Sequence, residues 1–348
     1  MGTQRDVAMI VTSQMSRFAT SVILLMLPMS MQNNSCPCAE GSDALVIPSC
    51  ILKGHTGSVY SLAFTTNGNL LVSGSSDSTI RIWTLGSGDH QVLLAHKDPI
   101  YSVLISPKGD TCYSGSWDGT IRLWNTDTWK QKNVLTLSAK QAVSTLAISP
   151  DGKLLACALG RSAGVVQLWM LPELKKAELQ RHSRMVTALA FSPDGKWLVS
   201  GGSDRKAFLW SVADHRPAAA SSGHDHPWIN TVAISSDNNI FVTGGEDGKV
   251  ICWEIPSGKQ VQSLPIMGSI KQVVFMRNGN LIVAHNEQSK GYISVWDTNN
   301  RKYRCQMQCQ SISAIRCFAI SPDETSIATG GEDCIIRVWN IQDIIPRK

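Results

Sequence analysis

Short apolar runs with a period of two recur along the chain. Val59-Tyr60-Ser61-Leu62-Ala63-Phe64 is one, and Val186-Thr187-Ala188-Leu189-Ala190-Phe191 and Ile229-Asn230-Thr231-Val232-Ala233-Ile234 repeat it. Alternation of this kind, rich in β-branched and aromatic residues, predicts strands rather than helices. Turn chemistry accompanies them: Asn67-Gly68, Lys108-Gly109, Asp151-Gly152, Asp194-Gly195 and Asn278-Gly279 supply the positive-φ positions that a tight hairpin needs.

A longer period lies over the short one. The block LKGHTGSVYSLAFTTNGNLLVSGSSDSTIRIW, ending at Trp83, returns as LAHKDPIYSVLISPKGDTCYSGSWDGTIRLW, ending at Trp124, and five more times downstream. The closing tryptophans are Trp83, Trp124, Trp169, Trp210, Trp253, Trp296 and Trp339, spaced by 41, 45, 41, 43, 43 and 43 residues. Each unit has room for about four short antiparallel strands, too few to bury both faces, so the units must stack on one another.

On these residues the chain resembles the WD-repeat family, over residues 44–340. The resemblance implies an all-β fold, a single seven-bladed β-propeller with a short N-terminal extension. In that family a His, a Ser or Thr, an Asp and a Trp are hydrogen-bonded in series within each blade, a buried polar network that must be complete to be tolerated. The matching sets are His55, Ser73, Asp77 and Trp83; His96, Ser114, Asp118 and Trp124; His182, Ser200, Asp204 and Trp210; and His224, Thr243, Asp247 and Trp253. The remaining repeats depart from the pattern. The third has Cys157 for the Ser and Arg161-Ser162 for the Asp, the sixth has Ala284 and Glu287 nearby, and the seventh keeps Thr329 and Asp333 without the His. Those blades are expected to rest more on apolar packing, and all the repeat-ending tryptophans to be core. Because a repeat is offset from a blade, the resemblance also implies a closing strand from the start of the domain, assigned to residues 44–52. The domains are thus 1–43, an extension, and 44–345, the propeller.

The family's narrower face receives three side chains per blade. Carried onto this chain they are Ser58, Tyr60 and Ser76; Pro99, Tyr101 and Trp117; Met185, Thr187 and Ser203; Trp228, Asn230 and Glu246; Ser269 and Lys271; and Ala314, Arg316 and Glu332, with Ala142 and Ser144 in the third repeat. Trp, Tyr and Arg are enriched at binding hot spots. The candidate partner-binding set is therefore Tyr60, Tyr101, Trp117, Met185, Trp228, Asn230, Glu246, Lys271, Arg316 and Glu332. Trp117, next to the wiring Asp118 and distinct from the repeat-ending Trp124, reads as free of structural duty. The resemblance implies a non-catalytic scaffold for a protein or peptide partner, a monomeric propeller within a larger complex. The alternative is an exported propeller that binds a small ligand or performs chemistry in its channel.

Composition changes this picture little. The 348 residues are 43% apolar and 17% charged, enough apolar content for a large core. The net charge of +5 comes from scattered residues without dense basic runs, which disfavours nucleic acid as the partner. Eleven tryptophans against seven phenylalanines and five tyrosines reflect the repeat. Ten cysteines show no recurring spacing, and neither Cys36-Pro-Cys38 nor Cys305 with Cys309 is completed by a second ligand pair. His224-Asp225-His226 loses His224 to the blade wiring. No phosphate loop, nucleophile elbow, zinc-protease helix or dinucleotide fingerprint is present, and no cofactor or metal is expected. Arg81, Arg122 and Arg337, which recur before the terminal Trp, read as solvated strand residues.

The segment after Arg17, RFATSVILLMLPMSMQNNSCPCAEG, has the outline of a secretory signal. It is too short, and too interrupted by Pro28, for a membrane span of about 20 apolar residues. Residues 1–16 make a long leader, Met15 is the more conventional start, and a disordered tail or an organelle-targeting peptide are the other readings. Secretory-pathway localisation follows from the first reading and cytoplasmic localisation from the second.

Overall fold

The computed structural model describes residues 46–137, 141–160, 164–298, 302–309 and 313–345. The extension 1–43, Ala44 and Leu45 of the expected closing strand, and Arg161-Ser162 lie outside these residues. Strand β1 (Cys50–Lys53) comes first. Blade one then takes β2 (Val59–Phe64), β3 (Leu70–Ser75), β4 (Thr79–Thr84) and β5 (His90–Leu94). Blade two takes β6 (Ile100–Ile105), β7 (Thr111–Ser116), β8 (Thr120–Asn125) and β9 (Gln131–Thr136), and blade three takes β10 (Val143–Ile148), β11 (Leu154–Leu159), β12 (Val165–Met170) and β13 (Lys175–Gln180). Blade four is β14 (Val186–Phe191), β15 (Trp197–Gly202), β16 (Lys206–Ser211) and β17 (Arg216–Ser222), and blade five is β18 (Ile229–Ile234), β19 (Ile240–Gly245), β20 (Lys249–Glu254) and β21 (Gln260–Pro265). Blade six is β22 (Ser269–Phe275), β23 (Asn280–Glu287), β24 (Lys290–Asp297) and β25 (Lys302–Gln308). Blade seven joins β26 (Ile315–Ile320), β27 (Ser326–Gly331) and β28 (Ile335–Asn340) to β1, and a short helix α1 (Ile341–Ile344) follows.

Every sheet is antiparallel, and each inner strand touches the next around the ring until β26 meets β2. The fold is a seven-bladed β-propeller. Closure is carried by β1, whose Cys50, Ile51, Leu52 and Lys53 pair with Val338, Arg337, Ile336 and Ile335. The strand therefore begins later than residue 44, and Val46-Ile47-Pro48 precede it without regular structure. Apolar cores lie between blades: Leu52, Ile336 and Val338 of blade seven pack with Val59, Leu71 and Trp83 of blade one. Such interfaces bury the faces that one four-stranded sheet leaves open.

The blade wiring is directional. Asp77 accepts from His55 Nδ1 at 2.8 Å and from the Thr56 amide at 3.0 Å, while its other oxygen accepts from the Thr79 amide at 2.9 Å. An Nδ1 proton held by the carboxylate leaves Nε2 as an acceptor for the Ser73 hydroxyl at 2.7 Å. Ser73 Oγ in turn accepts from Trp83 Nε1 at 2.8 Å. The same series runs through His96, Ser114, Asp118 and Trp124, through His182, Ser200, Asp204 and Trp210, and through His224, Thr243, Asp247 and Trp253.

The other blades solve the same problem differently. In blade seven Thr329 still accepts from Trp339 Nε1 at 3.0 Å, and Asp333, without a His, pairs with Arg337 at 2.7 Å. In blade six, Trp296 pairs with Leu281 and Ser294 with Val283, so Val283 rather than Ala284 holds the hydroxyl position. The hairpin closes on Gln288 and Ser289, both at positive φ, without an Asp turn. Its polar pair is instead His285, 1% exposed, with Nε2 at 2.8 Å from Ser294 Oγ and Nδ1 at 2.9 Å from the Met267 carbonyl. Burial pushes the His285 imidazole down to about 4 against the opposing carbonyl bond, so the ring is neutral. Blade six is thus not simply an apolar blade.

Blade three leaves two polar groups orphaned at its hydroxyl position: Trp169 Nε1 and Gln167 Oε1 are buried without a partner, as is Trp296 Nε1 in blade six, and Trp169 is only half-buried. Cys157 pairs across with Gln167, as Ser73 pairs with Arg81, so it stands where a hydroxyl would serve both atoms. Replacing Cys157 by Ser is expected to raise stability by about 1 kcal/mol, through a donor for Gln167 and an acceptor for Trp169. A urea melt checks it, and a lowered midpoint would count against the register.

The arginines before the terminal tryptophans are not solvated strand residues. Arg337 is ion-paired, Arg122 donates to Gln131 at 2.8 Å, and Arg81 lies over the Trp83 ring and against His90. Arg81 and Arg122 even bury Nε without a partner. Their planar stems fill the blade edge beside the wiring.

Candidate binding face at the channel mouth

One backbone irregularity recurs in every blade. The register of the inner strand slips between Val59 and Ser61, Ile100 and Ser102, Val143 and Thr145, Val186 and Ala188, Ile229 and Thr231, Ile270 and Gln272, and Ile315 and Cys317. A bulge leaves its extra residue unpaired and re-aims its side chain. The extra residues are Tyr60, Tyr101, Ser144, Thr187, Asn230, Lys271 and Arg316, and all of them line one cavity of about 780 Å³ at the ring centre. The residue before the inner strand is fastened to the turn that precedes the wiring Asp. Pro99 accepts from the Trp117 amide at 3.0 Å, Met185 from Ser203 at 2.8 Å, Trp228 from Glu246 at 3.2 Å and Ala314 from Glu332 at 3.1 Å. This lock brings two stretches of each blade to the same mouth.

Nine of the ten candidate residues line that cavity: Tyr60, Tyr101, Trp117, Met185, Trp228, Asn230, Glu246, Lys271 and Arg316. Glu332 stands outside the lining and is ion-paired to Arg316 at 2.5 Å. The mouth divides by chemistry. On blades one and two, Tyr60 stacks on Tyr101 with centroids 4.7 Å apart, and Tyr101 on Trp117 at 5.4 Å. Trp117 is therefore the end of a three-ring stack, not a residue without structural contacts. Burial, the neighbouring Tyr60 and the hydrogen bond between the two phenols push the Tyr101 hydroxyl up, against the pull of Arg316.

On blades five to seven the mouth is polar and internally neutralised. Glu246 receives Lys271 at 2.8 Å, Asn230 at 2.9 Å and Ser269 at 2.7 Å. Burial raises the Glu246 carboxyl, but these three donors outweigh it and hold it below its ordinary value. Between the two arcs stands Trp228, 44% exposed at φ +82°. His224 lies five residues before Ile229, whereas His55, His96 and His182 lie four before Val59, Ile100 and Val186. The extra residue is absorbed at Trp228, in a conformation that costs a bulky L-residue about 1–2 kcal/mol.

Sequence reasoning missed a second ring, which joins the blades beneath this mouth. Ser61 bonds Val103, Ser102 accepts from Leu146, Ser144 donates to Val186 and Thr187 donates to Ile229. Thr231 accepts from Val273, Gln272 from Phe318, and Cys317 Sγ reaches the Val59 carbonyl. The only signal was a Ser or Thr at the second or third place of the first five inner strands, replaced by Gln272 and Cys317 in the last two. The four wiring His–Asp pairs do not line the cavity, and their imidazoles are fully buried. Among the described residues no cluster could hold a metal ion, and no helix is long and apolar enough to cross a membrane. What the mouth offers is apolar stacking surface beside satisfied polar groups, an arrangement suited to holding a ligand.

Comparison with known proteins agrees with this architecture. The family described as "IFT122 first beta-propeller" matches residues 50–218, and that described as "WD domain, G-beta repeat" matches residues 216–254 and 304–340. The chain belongs to the WD-repeat β-propeller family. This WD-repeat propeller is 22% identical to Striatin-4 of Homo sapiens over 340 residues, 89% of the chain and 39% of that protein. It is 27% identical over 215 residues to the Target of rapamycin complex subunit wat1 of Schizosaccharomyces pombe, 59% of the chain and 67% of that protein. An 86-residue stretch is 41% identical to the WD repeat-containing protein 90 of Mus musculus, 23% of the chain and 5% of that protein. The WD-repeat propeller thus spans less than half the length of two of these three relatives.

Proposed function

We propose that this propeller is a non-catalytic scaffold that holds a protein or peptide partner at its channel mouth. One observation carries the reading: the Tyr60–Tyr101–Trp117 stack and the exposed, strained Trp228 surround a single cavity. Aromatic rings of this kind provide large contact area with few rotors to freeze, which is the composition of binding hot spots. The paired charges of Glu246 with Lys271 and Arg316 with Glu332 suit the polar rim of a protein interface better than a phosphate backbone. The relative wat1 is a subunit of the target of rapamycin complex, which favours the same reading.

The test uses peptides selected from a random display library on the immobilised protein. Trp117→Ala combined with Trp228→Gly is expected to weaken them by about 30-fold, or about 2 kcal/mol. Glycine is the choice at 228 because it removes the ring and accepts a φ of +82° without strain. Lys153→Ala, on an exposed turn remote from the cavity lining, is the control. Undiminished affinity in the double variant would sink the reading.

A further inference from the structure

In blades five to seven the charges around the mouth are paired, and in blade four they are not. In blade five Lys249 follows the wiring Asp247 by two positions and pairs with Asp225 at 2.6 Å. In blade four the corresponding lysine is Lys206, and the place of Asp225 is taken by Ser183. The equivalence is set by the backbone: the Ser183 amide donates to Asp204 at 3.0 Å as the Asp225 amide donates to Asp247 at 2.9 Å. Lys206 therefore has no carboxylate to meet. Arg205 precedes it, and Arg181 and Arg184 lie on the segment whose His182 and Ser183 bond Asp204. Arg184 lies between Ser183, bonded to Asp204, and Met185, whose carbonyl accepts from Ser203, so it sits against the turn carrying Arg205 and Lys206. Arg181 immediately precedes the wiring His182. All four cations are exposed, and among the described residues none of them forms an ion pair. The one acid nearby, Asp204, is enclosed by His182 with 3% of its side chain exposed.

The cluster is continuous with the cavity. Met185 lines the mouth next to Arg184, and Trp228 lines it on the following blade. We propose that this blade-four corner receives an acidic stretch of the partner, carboxylates on Arg184, Arg205 and Lys206, with an apolar residue of the same chain seated between Met185 and Trp228. The proposal rests on the partner-binding reading above and specifies the partner's chemistry. Arginine forks match carboxylates in a bidentate way, and unpaired exposed cations lose little water for the gain. A nucleic-acid strand fits less well, because it would have to cross the carboxylates of Glu246 and Glu332 on the same rim.

The experiment measures anisotropy of labelled octaglutamate, octalysine and a twelve-residue uridine oligonucleotide with the full chain. Octaglutamate is expected to bind at low salt and to weaken as added salt screens the contact. Arg184→Ser with Arg205→Ser is expected to weaken it at least tenfold, and Ser183→Asp severalfold, because it gives Lys206 the partner that Lys249 already has. Lys153→Ala, outside the cavity lining, leaves it unchanged. Absence of octaglutamate binding, equal binding of octalysine, or indifference to the arginine pair overturns the proposal, and tighter binding of the oligonucleotide through the same residues replaces it with a nucleic-acid site. If octaglutamate depends on the arginines while the Trp117/Trp228 variant keeps its display-selected peptides, the scaffold reading fails and the cationic corner stands.

Discussion

Deleting residues 46–52 is expected to abolish the cooperative ring, whereas deleting residues 1–40 is expected to leave the melting midpoint within about 2 °C of the full chain. The difference follows from what β1 does. Its ladder with β28 occupies the edge of blade seven, and the Ser49 amide donates a hydrogen bond to the Val338 carbonyl at 2.8 Å. Leu52, 1% exposed, is shared between Val338 of blade seven and Trp83 of blade one. Removing a single leucine of this kind costs about 2–5 kcal/mol, and the deletion also exposes a strand edge and opens the apolar seam between the two ends of the ring. The sum is comparable with the whole stability of an ordinary domain, about 5–15 kcal/mol. Circular-dichroism melts and gel filtration of the two truncations decide it. Equal melting of both would remove β1 from its role as the clasp.

Replacing Asp118 by alanine is expected to cost about 3–5 kcal/mol, while Trp117→Ala, one residue away, costs about 1 kcal/mol. Asp118 accepts from His96 at 2.9 Å, from the amides of Lys97 and Thr120 at 3.2 and 2.9 Å and from the Thr120 hydroxyl at 2.7 Å, so its loss strands four donors. Trp117 loses only its stacking on Tyr101 and its share of the rim. Burial alone would raise the Asp118 carboxyl, but the bonds from His96 and Thr120 outweigh it and hold it well below the usual carboxylate range. Asp77, Asp204 and Asp247 are depressed in the same way, burial again being outweighed by their histidines. A carboxyl lowered by folding contributes stability that is complete above its unfolded value near about 4 and is lost as the pH falls below it. The urea midpoint is therefore expected to drop steeply below about pH 4, and less steeply in Asp118→Ala, which has one such group fewer. A pH-independent midpoint in that range contradicts the wiring as the acid-labile element.

Much of this was readable before any coordinates. The repeat of Trp83, Trp124 and their successors, the Gly turns and the four His–Asp spacings are local patterns, and each recurs often enough to fix its own register. Where a repeat lacks the pattern, its spacing no longer fixes which residue faces which way. In blade six a two-residue turn lengthens both hairpin strands, and one residue of slip in a strand exchanges its faces, so Val283 rather than Ala284 stands at the hydroxyl position. In blade seven nothing in the sequence marked Arg337 as the partner of Asp333, since the bond between them depends on side-chain reach across the strand.

What the sequence determined by itself was the count of blades, because it follows from the spacing of the repeat; the four complete wiring series and the positions that face the mouth were implied by the resemblance to the WD-repeat family. The tertiary structure alone decided how those positions meet. Tyr60 and Tyr101 lie 41 residues apart and stack because β2 and β6 are neighbours in the ring. Ser61 reaches Val103, 42 residues on, for the same reason. Trp228 is displayed by an extra loop residue, and the unpaired cations of blade four stand out only against the Lys249–Asp225 pair of the next blade. Stacking, charge pairing and closure are relations between blades, and they arise when the ring brings distant repeats into contact.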